Sequence, residues 1–344
     1  FYSFMLPKTS GYEKYYTNAV AVRNAGVELA LVARVLPATS KWQWNINANI
    51  SYNKNQIMQL PDGNKTVVED NRYLMVGQPI NSFRLSQYNG IYLNEDMIPF
   101  DPYTGLKYKN ESGQYVQVGW ADYEDVDKDN QYVSWKDKKP IGDPNPKWVG
   151  GLNTNLSYGP WSLFVQTSFT LGRDILNTQF AKTMAPLSAQ YGADEEGVGF
   201  SGGPGANYAN PADGHWYYAE DFVARRMMVD LSRYSFWQKD GDNTNYPSRS
   251  QYMNNNNFIE RSSLFLENGS YLKLNTIMLS YNLDKLKKWG INNARLSLTA
   301  ENVAIIKSKN TLAADPSNVS PDGYYTGNGY GLPRKFTIGL MFDF

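Results

Sequence analysis

What most constrains this chain is an alternation of period two, sustained over stretches longer than an ordinary soluble strand. In the last eleven residues, RKFTIGLMFDF, one face of a strand would carry Phe336, Ile338, Leu340, Phe342 and Phe344, and the other Lys335, Thr337, Gly339, Met341 and Asp343. From Lys41 to Asn53, Trp42, Trp44, Ile46, Ala48, Ile50 and Tyr52 alternate with Gln43, Asn45, Asn47, Asn49, Ser51 and Asn53. Val27 to Val35, Trp161 to Leu171 and Ala294 to Glu301 repeat the pattern, and no charged residue falls on an apolar face in any of these runs. Lipid would impose that exclusion, because Arg or Lys at the midplane of a lipid face costs about 2 to 4 kcal/mol. A sandwich core would impose it too.

Length and connections separate the two. Soluble strands are most often about 5 to 6 residues long, whereas a tilted membrane strand needs about 9 to 11, and the runs here have the longer length. Pro37 to Ser40 and Gly159 to Pro160 read as tight turns and Asp284 to Asn293 as a modest one, while Thr178 to Arg261 and Lys307 to Pro333 read as long loops. Short turns at one end and long loops at the other are the layout of an antiparallel transmembrane β-barrel of the outer membrane. With tight turns in the periplasm, the strand near Lys41 runs outward and the one near Lys147 inward, so an even number of crossings lies between them. The segments Ser82 to Leu93 and Gln114 to Val126 therefore form a pair, either crossing together or forming a hairpin in an external loop, and the hairpin is the favoured reading.

Composition agrees. The chain has 344 residues, with 33 basic and 33 acidic side chains, which argues against nucleic acid or another polyanion as a partner. No apolar run is long enough for a helical membrane span, and barrels escape such scans because their signal alternates. With no cysteine, disulfide scaffolds and thiolate metal sites are excluded. Phe1 is neither a start methionine nor part of a signal peptide, so the chain reads as a mature or partial polypeptide.

The final strand, ending on Phe344, resembles the signal read by the assembly machinery of outer-membrane barrels. The wider sequence resembles the C-terminal part of SusC/RagA-type TonB-dependent outer-membrane transporters of Bacteroidetes. The matching stretches include VRNAGVELAL (Val22 to Leu31), WNINANISYNKNQIMQL (Trp44 to Leu60), VGQPINSFRLSQYNGIY (Val76 to Tyr92) and IGDPNPKWVGGLNTNLSY (Ile141 to Tyr158). They continue with SLFVQTSFTLGRDILN (Ser162 to Asn177), FWQKDGDNTNYPS (Phe236 to Ser248), LENGSYLKLNTIMLSYNL (Leu266 to Leu283) and RLSLTAENVAII (Arg295 to Ile306). One departure is DYEDVDKDNQ (Asp122 to Gln131), where relatives carry a glycine-containing, calcium-loop-like sequence; without that glycine the expected turn is in doubt.

The resemblance implies that residues 1–344 are the C-terminal part of a barrel of about twenty-two strands, of which about eight to ten are counted here. The N-terminal plug and earlier strands would lie outside this chain. It implies import of oligosaccharides or peptides, with a SusD-like surface lipoprotein as lid, TonB-ExbB-ExbD engaged through the missing N-terminal region, and a barrel homodimer in outer-membrane lipid. Two alternatives stay open: a small passive outer-membrane barrel of about eight strands, and a soluble, secreted β-sandwich that binds carbohydrate.

Candidate functional residues follow from position. Asn45, Asn47, Asn49, Gln166, Arg295 and Glu301 are placed on the lumen face, where they could offer hydrogen bonds to a hydrophilic solute. Trp42 and Trp161, near tight turns, fit an interfacial aromatic girdle. Trp216, Tyr217, Tyr218, Phe236 and Trp237 could stack on a sugar or peptide, or pack a loop against its cap. Asp125, Asp127 and Asp129, with Asp122 and Glu124 beside them, are a weak calcium candidate beside the plainer reading of a solvated loop. His215 is the only histidine and has no nucleophile motif with it, and the glycine-rich Gly199 to Tyr208 lacks the ending of a phosphate loop, so no enzyme and no cofactor are expected.

Overall fold

The computed structural model describes residues 2–5, 7–69, 72–92, 94–101, 103–111, 113–116, 120–181, 208–209, 216–217, 261–283, 291, 293–327 and 331–343. The chain divides into two compact units, residues 1–82 with 142–176 and 267–344, and residues 83–141 with 177–266.

The alternating runs become the first unit's main sheet. Its strands are β1 (Ala21–Arg34), β2 (Trp42–Gln59), β3 (Trp148–Tyr158), β4 (Trp161–Leu171), β5 (Tyr271–Asn282), β6 (Asn293–Lys307) and β7 (Lys335–Asp343). Each pairs antiparallel with its neighbour in sequence, so the seven lie in simple chain order. The connections β1–β2, β3–β4 and β5–β6 share one end of the sheet and are short, whereas β2–β3, β4–β5 and β6–β7 share the other and are long. Among the described residues seven strands reach membrane length, and the short separate pair Tyr2–Met5 with Lys14–Thr17 brings the number to nine, within the eight to ten expected.

Because directly opposed residues share a face, the register joins the apolar alternations into rows. One row runs Ala33, Ile46, Thr154, Val165, Ile277, Ala300, Phe336 across all seven strands. Another runs Trp44, Leu156, Leu163, Leu279, Leu298, Ile338. These residues are not covered by an opposing sheet: Leu279 is 37% exposed, Leu298 47%, Ile338 73% and Phe336 80%. The sandwich reading required that face to be core, and it is overturned. Among the described residues β1 and β7 do not pair with each other, so the complete eight-stranded barrel is not formed either.

Aromatic residues bracket the apolar rows. At the short-connection end Trp42 stacks on Tyr158, centroids 4.5 Å apart, and Trp161 meets Tyr281 edge-on at 4.7 Å. Toward the other end Tyr52 lies 4.8 Å from Trp148. Trp42 and Tyr52 are ten steps apart on β2, about 34 Å at about 3.4 Å per step. With the strand tilted about 45°, that is about 24 Å of height, the size of the apolar band of an outer-membrane barrel.

Two local devices keep the rows in register. Leu274 and Ile277 are three residues apart and would point to opposite faces of a regular strand, but the pairing with β4 and β6 shifts at Asn275 and returns both to the apolar side. Gly150 sits where the ring of Phe169 crosses β3: a Cβ there would meet the Asn49 carbonyl oxygen at 2.3 Å and the Phe169 ring at 2.7 Å. Gly150→Val is therefore expected to destabilise the barrel by about 1 to 3 kcal/mol, as overpacking does, read as a lower midpoint in denaturant titration of the protein in detergent.

The second unit has its own core of Tyr92, Ile98, Tyr108, Val116, Trp120, Ala121, Tyr123 and Tyr132. Tyr88–Ile91 pairs antiparallel with Ala121–Tyr123, and Phe83–Leu85 with Lys139–Ile141. The segments Ser82 to Leu93 and Gln114 to Val126 thus meet as a hairpin outside the main sheet, the favoured of the two arrangements that the parity of crossings allows.

Candidate transport wall

The face opposite the apolar rows carries a polar row, with Val32, Phe164, Met278 and Met341 also on that side. Asn47, Asn153, Gln166, Thr276 and Glu301 stand in register across β2 to β6, and Lys335 on β7 completes the row by pairing with Glu301 at 3.0 Å. Asn45 opposes Asn155, and Asn49 lies in the row that leads through Gly151 and Ser168 to Lys273. Arg295 lies on the same face and donates from Nε to Asn282 Oδ1 at 3.0 Å. All six residues named from the sequence therefore share one side of the sheet. Sequence reasoning missed Asn153 and Asn155, although their alternation with Leu152, Thr154 and Leu156 carried the signal. It also missed Asn275, which the bulge turns to this side, where its Nδ2 donates to Ser168 Oγ at 2.9 Å.

Toward the long-connection end the wall meets a folded lobe of the β6–β7 connection. Lys273, only 8% exposed, donates to Asp315 at 3.3 Å and to Ser317 at 3.1 Å. The Glu267 carboxylate accepts the backbone N–H groups of Leu312 and Ala313 at 3.0 and 2.9 Å. Beneath them Ile175, Ala313 and Tyr325 are buried together. These partners lie more than forty residues apart in sequence, and no local pattern announced them. At the same end an open pocket of ≈ 510 Å³ is bordered by Glu28, Ser51, Asn53, Asn145 and Lys147.

In the second unit the acidic segment does make a turn. Asn130, with φ 65, takes the left-handed conformation that the missing glycine would have supplied, and Lys128 does so too. Asp125 accepts the N–H groups of Lys128 and Asn130 at 2.6 and 2.8 Å, and burial pushes its carboxyl above the usual range. Carboxylate oxygens of Asp125, Asp127 and Asp137 lie within 4.8 Å of one another. Asp129 does not belong to that trio; it bonds Lys136 at 2.8 Å, which holds its carboxyl below the usual range. The set is a poor match for calcium, which takes six to eight oxygens. Counting a calcium loop from Asp125, its twelfth position, where a bidentate carboxylate belongs, is Lys136, and its ninth is Val133.

The remaining sequence candidates fall elsewhere. Trp216–Tyr217 forms a two-residue strand paired with Tyr208–Ala209. Tyr218, Phe236, Trp237, His215 and the terminal Phe344 lie outside the described residues. Phe336, Ile338, Leu340 and Phe342 of the C-terminal signal line one face of β7, opposite Ala300, Leu298, Leu296 and Ala294.

No family model matches the chain. TonB-dependent receptors P26 and P3 of Formosa agariphila are each 25% identical to it over 98% of this chain, and the match covers 31% and 30% of their lengths. Among solved structures it is similar to the RagAB peptide importer in the open-open state, with TM-score 0.66 and 20% identity over 99% of this chain and 31% of that one. A second structure, of the RagAB peptide transporter, gives a TM-score of 0.63 at 20% identity over 98% of this chain and 31% of that one. The chain thus spans about a third of the length of the curated relatives it matches. With the sheet's two unlike faces and its one-sided long connections, these matches bear out the resemblance read from the motifs: over nearly its whole length the chain is similar to TonB-dependent receptors, and its fold is that of a portion of an antiparallel outer-membrane β-barrel.

Proposed function

We propose that this chain is the C-terminal part of a barrel that imports a hydrophilic oligomer, an oligosaccharide or a peptide, across the outer membrane with energy delivered through TonB. One observation carries the reading: a seven-stranded sheet has an uncovered apolar face of bilayer height and, on its other side, a continuous row of Asn47, Asn153, Gln166, Thr276 and the paired Glu301 and Lys335. Asn45, Asn47, Asn49, Gln166, Arg295 and Glu301 face the conduit in this reading, with Asn153, Asn155 and Thr276 beside them. Their work is binding and passage rather than catalysis. A plug, the TonB contact for TonB-ExbB-ExbD and the earlier strands belong to the rest of the polypeptide; a SusD-like lipoprotein lid and a second barrel copy are its proposed partners. The peptide named for the RagAB importer and the receptor naming of the Formosa proteins support an imported nutrient.

The test is to purify the full-length protein from outer membranes in mild detergent and to follow uptake of labelled oligosaccharides and peptides in cells with and without it. A co-purifying surface lipoprotein, and uptake of one substrate class that is lost on deletion of either the barrel or TonB, are expected. Uptake that persists without TonB would overturn active import in favour of a passive pore.

A further inference from the structure

The acidic loop of the second unit contains its own cation. Lys136 Nζ lies 2.8 Å from Asp129 Oδ2 and 3.5 Å from Asp127 Oδ2, and 5.7 Å from the centroid of the Trp135 ring. The two innermost acids are already occupied by the backbone. Asp137 is fully buried and accepts Val126 N–H at 2.9 Å, Asp127 N–H at 3.4 Å and Val133 N–H at 2.6 Å. Asp125 accepts two further N–H groups on its two oxygens. Every backbone donor in this list is bound by a carboxylate, so the turn closes through these bonds and needs a counter-charge more than a scaffold.

A divalent ion placed among Asp125, Asp127 and Asp137 would sit beside that ammonium, with one of its natural ligands replaced by a lysine and another by a valine. Like charges so close oppose each other, and a compact ammonium with three donors already serves one of these three carboxylates, Asp127, together with the neighbouring Asp129. We propose that the loop 122–137 is a metal-independent counterpart of a calcium loop, in which Lys136 stands in for the ion. The neighbouring shifts agree with that placement: the bond to Asp129 raises the ammonium, and the bond to Lys136 lowers the Asp129 carboxyl.

Hydrogen exchange on the full-length protein in detergent tests this, followed in peptides from residues 121–141 with millimolar calcium or with EDTA. Wild-type protection is expected to be equal in the two conditions. Lys136→Gln should exchange about threefold to fivefold faster in EDTA, the size of a partly exposed ion pair, while Lys136→Arg should exchange like the wild type. Peptides from β4 in the same samples report whether the barrel itself has held. Wild-type protection that falls in EDTA would overturn the proposal, as would a Lys136→Gln loop that exchanges no faster, or a Lys136→Arg loop that behaves like Lys136→Gln.

Discussion

Val165→Arg is expected to cost about 2 to 4 kcal/mol of folding free energy in a bilayer, the penalty measured for a cation at the midplane of a lipid-facing strand. Val165 stands in the row Ile46, Thr154, Ile277, near the middle of the apolar band. Phe164, one residue earlier, opposes Asn155 and Met278 on the other face. Phe164→Arg is therefore expected to change stability far less, although it alters the same strand and adds the same charge. Reversible denaturant unfolding of the full-length protein in phospholipid vesicles would compare the two. Equal penalties would mean that the faces are not in different media. That result would remove the basis for reading the Asn-rich rows as a conduit.

The second large effect is expected at Asp137. Its side chain is fully buried and satisfies three backbone N–H groups, those of Val126, Asp127 and Val133. Asp137→Ala strands all three. Since a buried donor left without an acceptor costs about 1 to 3 kcal/mol, the combined loss should reach about 3 kcal/mol or more, allowing for some rescue by water. Asp137→Asn keeps one carbonyl acceptor and should cost roughly half as much. The readout is local: limited proteolysis between Asp122 and Lys139 should accelerate strongly in the alanine variant, while the strands of the main sheet keep their resistance. A loop in Asp137→Ala as resistant as the wild type would show that these bonds do not hold it closed.

Much of the sheet was legible because a strand between two media writes its surroundings into every second residue. β2 and β7 show it plainly, from Trp42 to Tyr52 and from Phe336 to Phe342. Counting crossings from the loop lengths paired the segments around Tyr88–Ile91 and Ala121–Tyr123 but allowed two crossings as well as a hairpin, and the structure shows the hairpin. The pattern failed where the backbone departs from regularity. In Leu274-Asn-Thr-Ile277 the apolar spacing is three, so a period of two stops at Asn275, and only a bulge reconciles both ends with their neighbours. In the acidic loop the absence of glycine cast doubt on a turn that Asn130 makes with its own left-handed backbone. The third acid of the cluster, Asp137, lies beyond the run that drew attention, because proximity in a folded loop is not proximity in sequence. The pinning of the β6–β7 connection by Lys273 and Glu267 was invisible for the same reason.

Each strand of the main sheet finds its partner in the segment just before or just after it, and the three long excursions all leave from the same rim. Inserting or deleting residues in such an excursion leaves the ladder on either side untouched. The entropy lost in closing a flexible segment grows only with the logarithm of its length, about 0.6 kcal/mol for each doubling. New surface chemistry can therefore be grafted onto that rim while the wall below stays as it is.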